Sequence, residues 1–220
     1  MKRHMESMSQ NLFFKDMSKR EIETALPYLK PRVNRYRKGS YVTMAGDGET
    51  SMHLILSGRV KIILEDLDGA CHFITRYKAG GFFKESCASA DGELSHYSSL
   101  VVDDAIIMTI NFVNIMNMAA PIGKIFTKIM RNLFLVNAGK TIFLIRQLEH
   151  LSKISIRERL LSYFRHLMEK VGKNEFILPM SKSDLAGYLF VNRSAMAREL
   201  AAMKKEKILS FKDRMFCLKI

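Results

Sequence analysis

The chain has 220 residues, of which 48% are hydrophobic and 26% are charged. This composition predicts a folded protein with a sizeable core, in one large or two small domains, and excludes an intrinsically disordered chain. No apolar run is long enough to span a bilayer, and the first ten residues lack the apolar centre of a secretory signal. We therefore expect no membrane partner and a cytoplasmic location.

Charge is concentrated near the C-terminus. The formal net charge is +13, and residues 151–220 carry 15 Lys and Arg against 7 Asp and Glu. A basic segment attracts polyanions, because Lys and Arg near phosphates release condensed counterions. The distribution favours nucleic acid as a partner over a generally basic protein. The three cysteines are an odd number without CxxC spacing, which fits a reduced compartment better than a disulfide framework.

The first half of the chain changes from helical to strand patterns. Residues 9–30 predict short helices: Ser18 and Glu21 have capping-box spacing, Pro27 interrupts the pattern and Pro31 ends it. Short apolar or alternating runs, separated by turns rich in Gly and Asp, then follow at residues 33–37, 41–44, 53–56, 60–65, 72–77 and 105–110. Many short strands at this spacing predict an antiparallel barrel or sandwich.

A long helix follows the strands. Apolar residues recur at steps of three and four from Ile122 to Leu144, which predicts one continuous amphipathic helix ending near His150. Its length favours a partner helix in a second chain, and the alternative is a helix packed on its own barrel.

The last seventy residues show helix, sharp turn, helix and hairpin. After a helical pattern that Gly172 ends, Ser181 and Asp184 predict a helix start, and Asn192 caps the next helix. Residues 208–211 and 215–220 predict a hairpin. This order is typical of a winged helix-turn-helix, which places one helix in the major groove, where its N-terminal side chains reach base edges.

Two arginines and one helix start suit DNA chemically. Arg193 and Arg198 lie off the apolar stripe of the second helix, and an arginine fork bonds O6 and N7 of guanine together. Lys182 and Ser183 open the first helix, where free N–H groups favour a phosphate. The alternative is a pair of amphipathic helices with solvated arginines.

The chain resembles the Crp/Fnr family of bacterial regulators over nearly its full length. The segments that carry the resemblance are HLILSGRVKIIL, YKAGGFFKES, KISIRERLLSYF and MSKSDLAGYLFVNRSAMARELAAMKKEKILSF. The resemblance implies an α+β fold with an N-terminal cyclic-nucleotide-binding-like β-barrel (a double-stranded β-helix), a long dimerisation helix and a C-terminal winged helix-turn-helix. The corresponding domains are residues 1–115, 116–150 and 151–220.

The resemblance also implies roles for individual residues. Arg193 and Arg198 match the family's base-reading arginines, whereas Ser194 stands where many members read a base with glutamate, and Phe190 where the turn usually has glycine. The predicted DNA-binding set is Arg193, Ser194, Arg198, Asn192, Lys182 and Ser183. We expect a homodimeric transcription regulator on palindromic double-stranded DNA, with room for contacts to RNA polymerase.

The resemblance argues against a cyclic nucleotide as effector. Glu85 aligns with the family's ribose-binding glutamate, but Ser95 and His96 fall where an arginine and a hydroxyl residue hold the cyclic phosphate. A phosphate would lose its bidentate partner, and Lys84 offers only a flexible point charge. The expected effector is another small molecule, or none. The candidate pocket residues are Phe82, Phe83, Glu85, Ser95, His96 and Tyr97, with ordinary barrel packing as the alternative.

Other chemistries find little support. An iron–sulfur cluster needs about four thiolates, which the N-terminal region lacks. Cys71, His72 and Cys87 were the remaining candidate ligands for haem or metal, but no histidines are paired, so we predict no metal site and no cofactor. A cupin-like enzyme would need such a cluster, so we predict no enzyme. A cyclic-nucleotide module with another output would not need the two arginines.

Overall fold

The computed structural model describes residues 4–48, 50–65, 71–89 and 94–219, apart from the side chains of Cys71, Cys87 and Ser89. The chain forms two compact units, Met1–Gly139 and Lys140–Ile220. In the described ranges, no helix is both long and apolar enough to cross a membrane.

The first unit is built on a six-stranded antiparallel sheet. Its strands are β1 (Arg32–Tyr36), β2 (Tyr41–Thr43), β3 (Ser51–Glu65), β4 (Cys71–Lys78), β5 (Phe82–Phe83) and β6 (Ser98–Asn111). The strand order is β1-β6-β3-β4, with β2 paired to β6 and β5 to β3. The predicted antiparallel domain is confirmed; in the described residues the pairing runs from β1 to β4 and does not close into a ring.

Two strands are longer than predicted. β3 is one strand of 15 residues, where the sequence predicted two strands on either side of Gly58. Gly58 has a φ of +85°, and a Cβ there would lie 2.5 Å from the backbone oxygen of Asp104. Because only glycine accepts both conditions, the chain bends at Gly58 without leaving the sheet. β6 was predicted only from residue 105, since residues 98–104 include four polar side chains.

Five helical segments precede the long helix. They are α1 (Met5–Ser9), a 3₁₀ turn (Leu12–Phe14), α2 (Lys19–Leu29), α3 (Glu85–Ser89) and α4 (Phe112–Met116). The predicted capping box of Ser18 and Glu21 is present. The predicted interruption at Pro27 is absent, since α2 continues to Leu29. Proline removes one backbone hydrogen bond, whereas the helix buries its apolar side against the core.

The sheet separates two apolar clusters. One contains the N-terminal helices, Phe82 and the first half of the long helix α5 (Gly123–Leu151), and the other contains Phe83 and the inward residues of β3 and β6. The side-chain nitrogen of Asn132 donates to the carbonyls of Phe13 at 3.1 Å and Lys15 at 2.8 Å. The first half of α5 is thereby anchored in the first unit.

The second unit has the predicted winged helix-turn-helix. Its helices are α6 (Ile156–Val171), α7 (Lys182–Tyr188) and α8 (Arg193–Lys205), and its strands are β7 (Glu175–Ile177), β8 (Leu209–Lys212) and β9 (Met215–Leu218). The predicted hairpin is present, and β7 joins it in the order β7-β9-β8. The rings of Phe164, Phe176 and Phe216 lie 5.3 to 6.2 Å apart and hold this sheet on α6.

Candidate nucleic-acid interface

The second helix of the helix-turn-helix begins with the residues predicted to read DNA. Asn192 caps α8: its side-chain oxygen accepts hydrogen bonds from the backbone N–H of Ser194 at 2.9 Å and of Ala195 at 3.2 Å. The cap satisfies two of the free N–H groups at this end of the helix. Arg193 and Ser194 therefore lie on a well-formed and exposed first turn.

One side of α8 is buried and the other is open. The buried side consists of Met196, Leu200 and Met203, each no more than 2% exposed. Arg193 and Arg198 are exposed, and within the part of the chain that the structure describes neither has a carboxylate partner. Both guanidinium groups are thus free to bond an external acceptor.

The first helix of the pair contacts the wing. α7 begins at Lys182, is capped by Ser181 and exposes Ser183. The Nζ atoms of Lys182 and Lys204 lie 4.2 Å and 5.0 Å from the centre of the Phe211 ring, both within cation–π range. Phe211 of β8 therefore links the wing to α7 and α8.

The last turns of α5 pack inside the second unit. The side-chain nitrogen of Gln147 donates to the carbonyl of Tyr188 at 2.9 Å, and Nδ1 of His150 lies 2.8 Å from Oγ of Ser162. His150 is 2% exposed, and its Nε2 has no hydrogen-bond partner in the described ranges. A protonated His150 would therefore place an unpaired N–H and a charge inside this junction.

This junction should make the stability of the protein pH-dependent. Burial lowers the pKa of His150, and the neighbouring Lys153 and Arg146 lower it further. Burial and Arg146 also lower the pKa of His166. The folded protein thus binds fewer protons than the unfolded chain, so the free energy of unfolding falls as the pH drops below about 6.5. We expect the melting temperature to fall from about pH 7.5 to about pH 5.5, and to fall less in His150→Gln.

The control is His96→Gln, which replaces an exposed histidine of the first unit. It should keep the pH dependence of the unaltered protein. The assignment to His150 is wrong if the melting temperature of His150→Gln falls as far as that of the unaltered protein over the same pH range.

The apolar residues predicted to line an effector pocket are only partly brought together. Phe82 and Phe83 are neighbours on β5 and point to opposite faces of the sheet. Phe82 packs 6.2 Å from Phe13 in the helical cluster, whereas Phe83 and Tyr97 belong to the other cluster. His96 is exposed.

The polar candidates are buried beside Phe83 in sequence. Glu85 is 4% exposed and Lys84 is 1% exposed, with a left-handed φ of +66° at Lys84. Burial, together with the charge of Glu85, raises the pKa of Tyr77, which places this phenol near the carboxylate. Ser95 is 2% exposed, and its Oγ donates to the backbone oxygen of Tyr97 at 2.8 Å.

A ring stack at this site was not predicted from the sequence. The Phe83 ring stacks on His53, with centroids 5.1 Å apart, and on Tyr77, with centroids 6.3 Å apart. Nδ1 of His53 lies 3.0 Å from Oγ1 of Thr109. The pairing of β3 with β5 sets His53 opposite Phe83, and the sequence carries no local signal of that pairing.

The cysteine side chains considered as ligands, Cys71 and Cys87, lie outside the described side chains. Among the residues whose placement the structure describes, no three His, Cys, Asp or Glu side chains come together as a metal site would require.

Two family models match the chain, and together they span more than half of it. Residues 33–120 match the cyclic nucleotide-binding domain, and residues 158–220 match the Crp-like helix-turn-helix domain. A search of curated proteins finds no match.

Solved structures of similar fold include several regulators. The c-di-GMP-responsive global regulator CLP of Xanthomonas campestris is 16% identical, with a TM-score of 0.71, over 92% of this chain and 100% of that one. CprK complexed with OCPA is 19% identical, with a TM-score of 0.68, over 89% of each chain. A CooA mutant from Carboxydothermus hydrogenoformans is 18% identical, with a TM-score of 0.68, over 94% of this chain and 88% of that one. At these identities the similarity establishes the fold.

Proposed function

The chain belongs to the Crp/Fnr family of DNA-binding transcription regulators, and from that premise we propose that it binds a palindromic site as a homodimer under the control of a small molecule other than a cyclic nucleotide. In this proposal residues 1–115 are the sensor, residues 116–150 the dimerisation helix and residues 151–220 the DNA-binding domain. The role is regulatory and not catalytic, it is exercised in the cytoplasm, and RNA polymerase is a second partner.

The exposed start of α8 is the observation that carries the proposal. Arg193 and Arg198 are solvent-exposed, one turn or so apart, on the face opposite the buried stripe. An α-helix fits the major groove, and each arginine fork can bond O6 and N7 of a guanine. The neighbouring exposed residues Ala197 and Ala201 are small, which lets the helix approach the bases closely.

The remaining residues of the set have supporting roles. Ser194 lies beside Arg193 with its hydroxyl exposed, and a hydroxyl can donate to or accept from several bases. Asn192 orients the first turn of α8 through its cap. Lys182 and Ser183 open α7, and we assign them to the phosphate backbone, which positions a protein without reading sequence.

The homodimer is supported by an apolar seam along α5. Residues 134, 138, 141, 145 and 148 follow the alternating steps of four and three of a coiled coil. Phe134 is 72% exposed, Ile145 60% and Leu148 65%. Side chains of this size on one helix face favour burial against an identical helix, because a two-fold axis makes the patch self-complementary.

The choice of effector rests on the polar groups near Phe83. Ser95 uses its hydroxyl on the backbone of Tyr97, and His96 is exposed, so neither position supplies the arginine fork that a cyclic phosphate would need. Phe83, Tyr77 and Glu85 instead offer aromatic walls and a carboxylate. Cyclic AMP at a concentration of about 1 mM should leave the melting temperature unchanged, whereas a ligand at 100 times its Kd would add about 2.7 kcal/mol of stability.

Selection of bound genomic fragments by the purified protein tests the DNA-binding proposal. We expect an inverted repeat whose half-sites lie about one helical turn apart, roughly 34–36 Å. Fragments enriched without any shared motif would contradict sequence-specific reading, and a single half-site without its inverted copy would contradict the homodimer.

A further inference from the structure

The first turn of α6 holds α8 through one arginine. Nε of Arg157 donates to Oε1 of Glu199 at 2.5 Å, and its two terminal nitrogens donate to the carboxylate oxygens of Glu206 at 2.7 Å and 2.8 Å. Glu199 and Glu206 are seven residues apart on the reading helix, so one guanidinium spans two of its turns. Hydrogen bonds from these carboxylates raise the pKa of Arg157, and the bond from Arg157 lowers the pKa of Glu206.

A second arginine of α6 holds the turn that precedes α8. Nη1 of Arg159 donates to the carbonyl of Leu189 at 3.0 Å and approaches that of Phe190 at 3.5 Å. Nε of the same side chain donates to the carbonyl of Lys153, in the linker between α5 and α6, at 2.9 Å. One side chain therefore connects the linker to the helix-turn-helix turn.

This turn needs external support. Phe190 has a φ of +51°, in the left-handed region, where a non-glycine residue is disfavoured. It lies two residues before the cap of α8, so any relaxation of Phe190 would move the start of the reading helix. The bonds from Arg159 to Leu189 and Phe190 oppose such a relaxation.

We propose that Arg157 and Arg159 are positioning residues that fix the orientation of α8 and of the turn before it, and so determine sequence discrimination without touching a base. The inference rests on the proposed function. The donors of Arg157 are committed to Glu199 and Glu206, which leaves Arg193 and Arg198 as the readers. A reading side chain must be held within about 0.5 Å and 10–20° of its productive geometry, so a rotation of α8 is felt at every base contact.

The proposal separates specificity from stability. Arg157 and Glu206 are 35% and 45% exposed, and ion pairs at such sites add little to folding. Arg157→Gln and Arg159→Gln should therefore melt close to the unaltered protein. Their ratio of affinities for the selected palindrome and a scrambled duplex should fall about tenfold, the loss expected when a hydrogen bond from a charged group is removed.

The experiment measures binding to both duplexes at two salt concentrations, with Arg165→Gln as the matched control. Arg165 is exposed on the same helix, so its replacement removes the same charge. The specificity ratio should fall in the two variants and not in the control, while the slope of affinity against salt stays as in Arg165→Gln. Arg157→Lys, which keeps the charge but cannot bond Glu206 with a fork, should lie between Arg157→Gln and the unaltered protein.

Three results would overturn the proposal. The first is an unchanged specificity ratio in both variants. The second is an equal loss on both duplexes with a shallower salt slope, which would make these arginines phosphate contacts. The third is a loss of specificity only in variants that have also lost their fold by circular dichroism. If the unaltered protein itself does not discriminate the palindrome, the proposed function fails instead, and the two failures are thereby distinguished.

Discussion

Replacing Arg193 with alanine should lower the affinity for the selected palindrome by roughly 2–6 kcal/mol, because a dimer loses two bidentate base contacts of about 1–3 kcal/mol each. The affinity for a scrambled duplex should fall far less, since that duplex offers no matching guanine. Selection with the variant should also recover sites that are relaxed at one base of each half-site. Equilibrium titration of both duplexes at constant salt measures the difference.

Lys205→Ala is the matched control for this variant. Lys205 is exposed on the last turn of the same helix, so its replacement removes one charge from α8 far from the reading end. It should weaken binding to both duplexes by a similar and small factor. If Arg193→Ala behaves in the same way, Arg193 contacts only phosphate and another side chain reads the bases.

Leu148→Glu should convert the dimer into a monomer. Burying one leucine side chain contributes about 1.5–3 kcal/mol, and a two-fold interface loses two of them. The two carboxylates would in addition meet near the symmetry axis. The dissociation constant of the dimer should rise at least about a hundredfold, and binding to the palindrome should weaken with it, because each head then binds alone. Sedimentation over a range of protein concentrations measures the first effect.

Ile177→Glu makes the same chemical change elsewhere. Ile177 on β7 is 62% exposed, close to the 65% of Leu148, but it does not belong to α5. The control should remain a dimer. A dimeric Leu148→Glu protein would show that the seam along α5 is not the interface, and dissociation of both variants would show a nonspecific effect of added charge.

Signals within a few residues allowed the DNA-binding unit to be predicted closely. The caps at Ser181 and Asn192 are local patterns, in which a short polar side chain satisfies N–H groups two or three residues later. The apolar steps of α8 and of α5 depend only on helical periodicity. For the same reason the predicted and observed ends of the long helix, near His150 and at Leu151, almost coincide.

Features set by distant partners were missed. The sequence predicted two strands around Gly58, whereas the backbone of Asp104, 46 residues later, receives the bend and keeps β3 continuous. The polar start of β6 at Ser98 lacks the apolar alternation of a strand, yet pairs with β3 at Ile63. Strand pairing, unlike helix formation, is decided by residues far apart in the chain.

The candidate sites show the same division. Arg193, Ser194 and Arg198 could be named from the sequence because they follow a cap and avoid an apolar stripe. Arg157 and Arg159 could not, since only the packing of α6 against α8 shows which of many surface arginines meet carboxylates or carbonyls. The effector candidates were hardest, because neighbours on a strand such as Phe82 and Phe83 face different cores.

The most direct test of the central claim compares the affinity of the unaltered protein for the selected palindrome with that for the same duplex with both half-sites scrambled, at two salt concentrations. We predict a ratio of about 10³ or more, with two chains bound per palindrome, that persists at the higher salt while both affinities fall. Equal affinities that fall together with salt would mean that the basic C-terminal unit binds phosphates without reading bases, and would contradict the account.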